Sequence, residues 1–117
     1  MNKERVRNII DNRIISLFQE GVAISSAIDE IRDRSEKFFN ILEKDDINIF
    51  QAITEPETIS STRQRYAAFY VIVASQRIED LNWMYKNKSK FRHLENSKLF
   101  KLLQFRDKMS EKNALPF

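Results

Sequence analysis

The sequence predicts an all-α protein, a small bundle of four to five helices opened by a long N-terminal helix. Three observations predict this class. Only one glycine and two prolines occur among 117 residues, so few positions suit the positive φ that tight hairpin turns demand. Apolar residues recur at three- and four-residue intervals over long stretches, the period of a helix face and not of a strand. The composition, 42% hydrophobic and 32% charged, puts the chain where apolar burial can offset chain entropy. A chain of this length is read as a single helical domain over residues 1–112, followed by a short flexible tail at 113–117.

The longest regularity comes first. Ile10, Ile14, Leu17, Gly21, Ile24, Ile28, Ile31, Ser35, Phe38 and Leu42 alternate spacings of four and three, the rhythm of helix-on-helix packing. One unbroken helix over 3–43 would be about 60 Å long, more than the width of a compact domain of this size. Gly21 offers a break, with Ser25 or Ser26 capping a second helix and Asp29 and Glu30 in its first turn. The apolar phase nevertheless crosses Gly21 without a slip. The expectation is therefore a continuous helix, kinked at most near Gly21. It would self-associate through Ile10, Ile14, Leu17, Ile24, Ile28 and Ile31, and two antiparallel helices of a monomeric bundle are the competing reading.

The stretch "EKDDINIFQAITEPE" predicts a short connecting helix, with Asp45 or Asp46 as cap, Ile47, Phe50 and Ile53 at helical spacing and a stop before Pro56. A central helix follows over residues 62–86, with Ser60, Ser61 and Thr62 as capping candidates and Asn87 as a stop. Its uncharged segment, Tyr66 to Ala74, is about half the ~20 residues needed to cross a bilayer, and Arg63, Arg65, Arg77, Glu79 and Asp80 flank it. It reads as a helix surrounded by others, with no membrane partner. The last helix resumes near Ser97, with Leu99, Leu102, Leu103 and Met109 directed inward and fraying beyond Lys112.

Catalytic chemistry finds little to stand on. There is no cysteine, so thiol nucleophiles, disulfides and thiolate metal sites are excluded, and the chain suits a reducing, cytoplasmic setting. A start as charged as "MNKERVRNIIDNR" also predicts no signal peptide. The single histidine, His93, has no partner pattern for a serine base or a paired metal site and reads as a surface residue. One glycine cannot build a phosphate-cradling loop. Carboxylates remain: Glu30 and Asp33 fall on adjacent turns of one helix face and resemble the paired acids with which all-α nucleotide pyrophosphohydrolases hold magnesium, and Glu79 and Asp80 could supply a second pair. The stronger reading is structural, because Glu30 to Arg34 and Asp33 to Lys37 are favourable i, i+4 ion pairs. No enzyme activity, metal or cofactor is expected.

Charge is distributed unevenly. Residues 1–85 carry 11 basic and 14 acidic side chains, whereas 86–117 carry 9 basic and 3 acidic. Lys86, Lys88, Lys90 and Arg92 alternate along an expected loop, and Lys98, Lys101, Phe105, Lys108 and Lys112 follow the spacing of one helix stripe. Such a region suits an acidic protein or a nucleic acid bound without sequence preference: lysines neutralise phosphates, and Phe91 or Phe105, if exposed, could stack on a base. The competing reading is a solvated lysine face with both phenylalanines tucked in. At the end of the chain, "NALPF" has the makings of a docking peptide through Leu115 and Phe117. It resembles the short C-terminal tails, also ending in leucine and phenylalanine, by which phage and bacterial replication proteins hold sliding clamps; Phe117 folding back onto the bundle is the alternative.

Abundant isoleucine, asparagine, lysine and phenylalanine suggest an AT-rich bacterial or phage genome. The expected function is that of a non-enzymatic accessory or regulatory protein, an adaptor or inhibitor that binds another protein. Nonspecific nucleic-acid binding through the basic region is the alternative, and magnesium-dependent nucleotide hydrolysis stands behind both.

Overall fold

The computed structural model describes the backbone of residues 2–113 and the side chains of 2–109. Among the described residues, five helices follow one another: α1 (Lys3–Gln19), α2 (Ile24–Lys44), the short α3 (Ile49–Thr54), α4 (Thr62–Asn87) and α5 (Asn96–Asn113). Single 3-10 turns at Pro56–Thr58 and Lys88–Phe91 flank α4. The expected all-α bundle is therefore what the chain forms.

The starts of α1, α3 and α4 are built from short polar side chains, whereas α2 begins after Ala23 with no side-chain cap and not at Ser25 or Ser26. The carboxamide oxygens of Asn2 and Asn48 accept hydrogen bonds from the backbone N–H groups of Arg5 and Gln51, and the Ser61 hydroxyl accepts one from Gln64. Each fills a donor that a helix start leaves open. Ser61 and the 62–87 span of α4 agree with the sequence reading. For α3, the cap is Asn48 and not Asp45 or Asp46.

The continuous first helix is the main correction. Gly21 takes φ 83°, its N–H donates to the Phe18 carbonyl, and the Val22 N–H reaches back to the Leu17 carbonyl. This left-handed cap ends α1, and it favours a residue without the Cβ penalty. A second closure of the same kind ends α2, where Asp46 stands at φ 53° and Ile47 N–H bonds the Leu42 carbonyl. Across the α1–α2 corner, the Arg13 guanidinium grips Glu30 with two hydrogen bonds of 2.7 and 2.8 Å.

α4 is the axis on which the rest assemble. α2 packs along it antiparallel, with Phe38 against Tyr66 and Tyr70 and the buried end of the contact formed by Leu42, Ala67 and Ala68. On the other side α1 and α5 close over α4, and Phe18 meets Phe100 edge to face at 6.2 Å. Ile10, Ile14, Leu17, Ile24, Ile28 and Ile31 all lie in this core, none more than 6% exposed. They hold one chain together and present no open seam, so self-association would have to use other side chains. The phase crosses Gly21 because both helices turn their apolar faces toward the same α4.

Two inward assignments also change. The six-residue α3 buries Ala52 against α4 and leaves Phe50 and Ile53 exposed. On α5 the inward face is Leu99, Phe100 and Leu103, while Leu102 and Met109 are outside. Among the described residues, no helix is long and apolar enough to cross a membrane.

Candidate interaction surface

Two groups of charged side chains sit close to α5, one turned into the bundle and one turned out. The inner group centres on Arg77 of α4, which is 3% exposed. Its guanidinium donates to both carboxylate oxygens of Asp11 on α1, at 2.7 and 3.0 Å, and to Asp80 at 2.9 Å. It also donates to Asp107 on α5, while Gln104 donates to Asp11 at 2.6 Å. Burial opposes the charge on Arg77, but the hydrogen bonds to Asp11 and Asp107 outweigh it and hold the group protonated beyond its ordinary range. For Asp80 burial is also the leading influence. It pushes the carboxyl above its usual value, aided by the charges of Asp107 and Asp11 and opposed by the Arg77 hydrogen bond. One guanidinium thus ties three helices at a point where three carboxylates would otherwise repel one another.

This arrangement redistributes the acids considered for magnesium. Asp80 faces a guanidinium, and Glu30 is clamped by Arg13, whose hydrogen bond holds the Glu30 carboxyl below its ordinary value. Asp33 and Glu79 are exposed on the helix surfaces. Among the described residues, no group of three or more histidine or acidic side chains is placed to hold a metal. His93 is exposed at the turn after the Lys88–Phe91 segment.

The outer group is the basic surface. Lys98, Lys101 and Lys108 are exposed along α5, with Phe105 between them at 63% exposure. Leu102, 54% exposed, and Met109 flank Phe105 at i−3 and i+4, so the helix shows an apolar ridge edged by lysines. Lys86, Lys88, Lys90 and Arg92 are exposed around the C-terminal end of α4, where cations also complement the helix dipole. Trp83 joins the two halves. It lies 5.8 Å from the Phe91 ring, and the Arg106 guanidinium of α5 sits 6.0 Å from the Trp83 ring. Phe91 is half-buried and packs toward the core, so of the two phenylalanines only Phe105 is open.

Most of the surface was readable as a charge pattern. Trp83, Arg106 and Leu102 were missed, although their signal is present: Leu102, Phe105 and Met109 have helical spacing on the lysine side of α5. The side chain of Lys112 and the tail residues Leu115 and Phe117 lie outside the described residues. A separate apolar recess of about 480 Å3, lined by Phe39, Val71 and Ile78 with Arg32, Glu36 and Glu79, runs between α2 and α4 on another face.

Comparison with protein-family models, with curated proteins and with solved structures finds no match to this chain. The functional reading therefore rests on the surface itself.

Proposed function

We propose that this protein is a small helical accessory or regulatory protein that acts by binding another protein, receiving an acidic, partly apolar segment on the outward face of α5. The observation that carries this reading is the ridge of Leu102, Phe105 and Met109, uncovered and bordered by Lys98, Lys101 and Lys108. Contiguous exposed apolar side chains of this size mark contact sites, and aromatic and methionine side chains are favoured in them. The lysines select an acidic partner and speed its approach. Arg106 and Trp83, already stacked, provide a preorganised edge of the kind that dominates binding energy.

Capture from source-cell extract tests this with the wild-type chain and with Leu102→Ser/Phe105→Ser side by side. A protein retained by the wild type, resistant to nuclease and lost by tenfold or more on the double variant is the expected result. Equal retention by both chains would overturn the reading. Phe105 exposed among lysines supports one other function, nonspecific binding of single-stranded nucleic acid, by base stacking and counterion release. In that case nuclease removes the captured material and affinity falls steeply with salt.

A further inference from the structure

The opposite end of the molecule is the chemical complement of the α5 surface. Phe50 is 77% exposed, the most open of the large apolar side chains described, and Ile53 stands beside it one turn on. Glu43, Asp45, Asp46, Glu55 and Glu57, all exposed, lie within seven residues of Phe50 along the chain, against the single cation Lys44. Arg63 and Arg65 follow at the start of α4, but Arg65 is turned onto the carbonyls of Ile59 and Ser60. An aromatic flanked by acids thus stands at one end, and an aromatic flanked by lysines at the other.

One molecule cannot bring the two together. Ala52 of α3 packs against Ala67 and Ala68 of α4, whereas Arg106 beside Phe105 stacks on Trp83, so about 15 residues of α4, ~22 Å of helix, lie between the two patches. We propose that the Phe50 end of one molecule docks on the Phe105 face of the next, so that the chain associates head to tail with copies of itself. The occupant is a second copy because this chain carries both halves of the match: opposite charge, and an exposed apolar ridge on each side. The contact is heterologous, joining two different patches, so it propagates along a row of molecules unless the geometry closes a ring. The inference uses the receiving surface proposed above and names one occupant for it.

Sedimentation velocity of the full chain over a concentration series, in about 10 mM and about 1 M salt, reads this out, since the screening length falls from ~30 Å to ~3 Å between them. Mass that rises with concentration in low salt, and an association at least tenfold weaker in high salt, are expected. Phe50→Ser and Phe105→Ser, both at exposed positions, should each be monomeric with an unchanged melting curve. Mixed, they should form a 1:1 dimer and nothing larger, because the intact acidic end of one fits the intact basic face of the other. A monomeric wild type in low salt, oligomers that persist in either single variant, or a mixture that stays monomeric would overturn head-to-tail docking. None of these results decides the recognition of a foreign protein, which the capture experiment tests separately.

Discussion

The Arg77 cluster and the α5 surface contain the same kinds of side chain used in opposite ways. Around Arg77, a buried guanidinium meets the buried Asp11 and the partly exposed Asp80 and Asp107, and α1, α4 and α5 are joined through it. On the outer surface, among the described residues, no lysine of α5 takes part in an ion pair, and the apolar groups beside them remain open. α5 contributes to both: Gln104 and Asp107 reach inward, while Lys101, Phe105 and Lys108 point out. One helix therefore divides its work by face. Changes on the inner face should be felt as lost stability, and changes on the outer face as lost binding.

The largest effect is expected at the inner cluster. Arg77→Met leaves Asp11, 3% exposed, buried with its cation gone, and breaking a buried pair from one side costs about 3–5 kcal/mol. Urea unfolding should show a loss of that order, and adding Asp11→Leu should recover part of it, since the uncompensated charge then disappears. Arg77→Lys should not restore the wild type, because an ammonium cannot reproduce the paired hydrogen bonds to Asp11. A loss under ~1 kcal/mol for Arg77→Met would erase the contrast between the two faces.

Asp80 sharpens the comparison with the opposite sign. Its carboxyl is raised, first by burial and then by the crowding of Asp107 and Asp11. A group whose folded value lies above its unfolded one contributes stability below the unfolded value and loses that contribution as pH rises through the folded value. At neutral pH the ionised Asp80 is therefore less comfortable in the fold than in the unfolded chain. Asp80→Asn should raise the urea midpoint slightly at neutral pH, and the gain over wild type should shrink as pH falls through the raised folded value and vanish below the ordinary aspartate range. Glu30 runs the other way: Arg13 holds its carboxyl down, so its contribution is present at neutral pH and fades as acid protonates it. An Asp80→Asn variant that loses stability at neutral pH would show the cluster to be an optimised pairing with no excess of acid.

How far the sequence could foretell this division depends on the range of the interactions. α4 was legible nearly to the residue, because its cap, its apolar circumference and its stop are all local signals. Gly21 was legible as a break site, but the unbroken apolar phase argued for continuity. That argument fails in a bundle, since consecutive helices that face one core keep the same phase through a turn. The α5 register went astray for a related reason: its inward face carries Gln104 and Asp107, polar residues that pattern reading assigns to solvent. The partner of Gln104, Asp11, is 93 residues away, and that of Asp107, Arg77, is 30 residues away, so only the folded chain brings them together. The lysine stripe, by contrast, needs no tertiary partner and was visible as spacing alone.

The smallest effect on the fold is expected where the effect on binding is largest. Lys98→Glu/Lys101→Glu/Lys108→Glu reverses three exposed charges, and substitutions at such positions change stability by about 0.5 kcal/mol or less each. Lys98 lies in the first turn of α5, where an acid complements the helix dipole; this gain offsets the less favourable change at Lys108 nearer the other end. Thermal unfolding should therefore barely move. Capture of an acidic partner should nevertheless fall by more than tenfold, because the reversed face repels what it formerly attracted. If the triple variant instead melted far below the wild type, the lysines would be holding α5 in place, and the outward face would belong to the same stabilising system as Arg77.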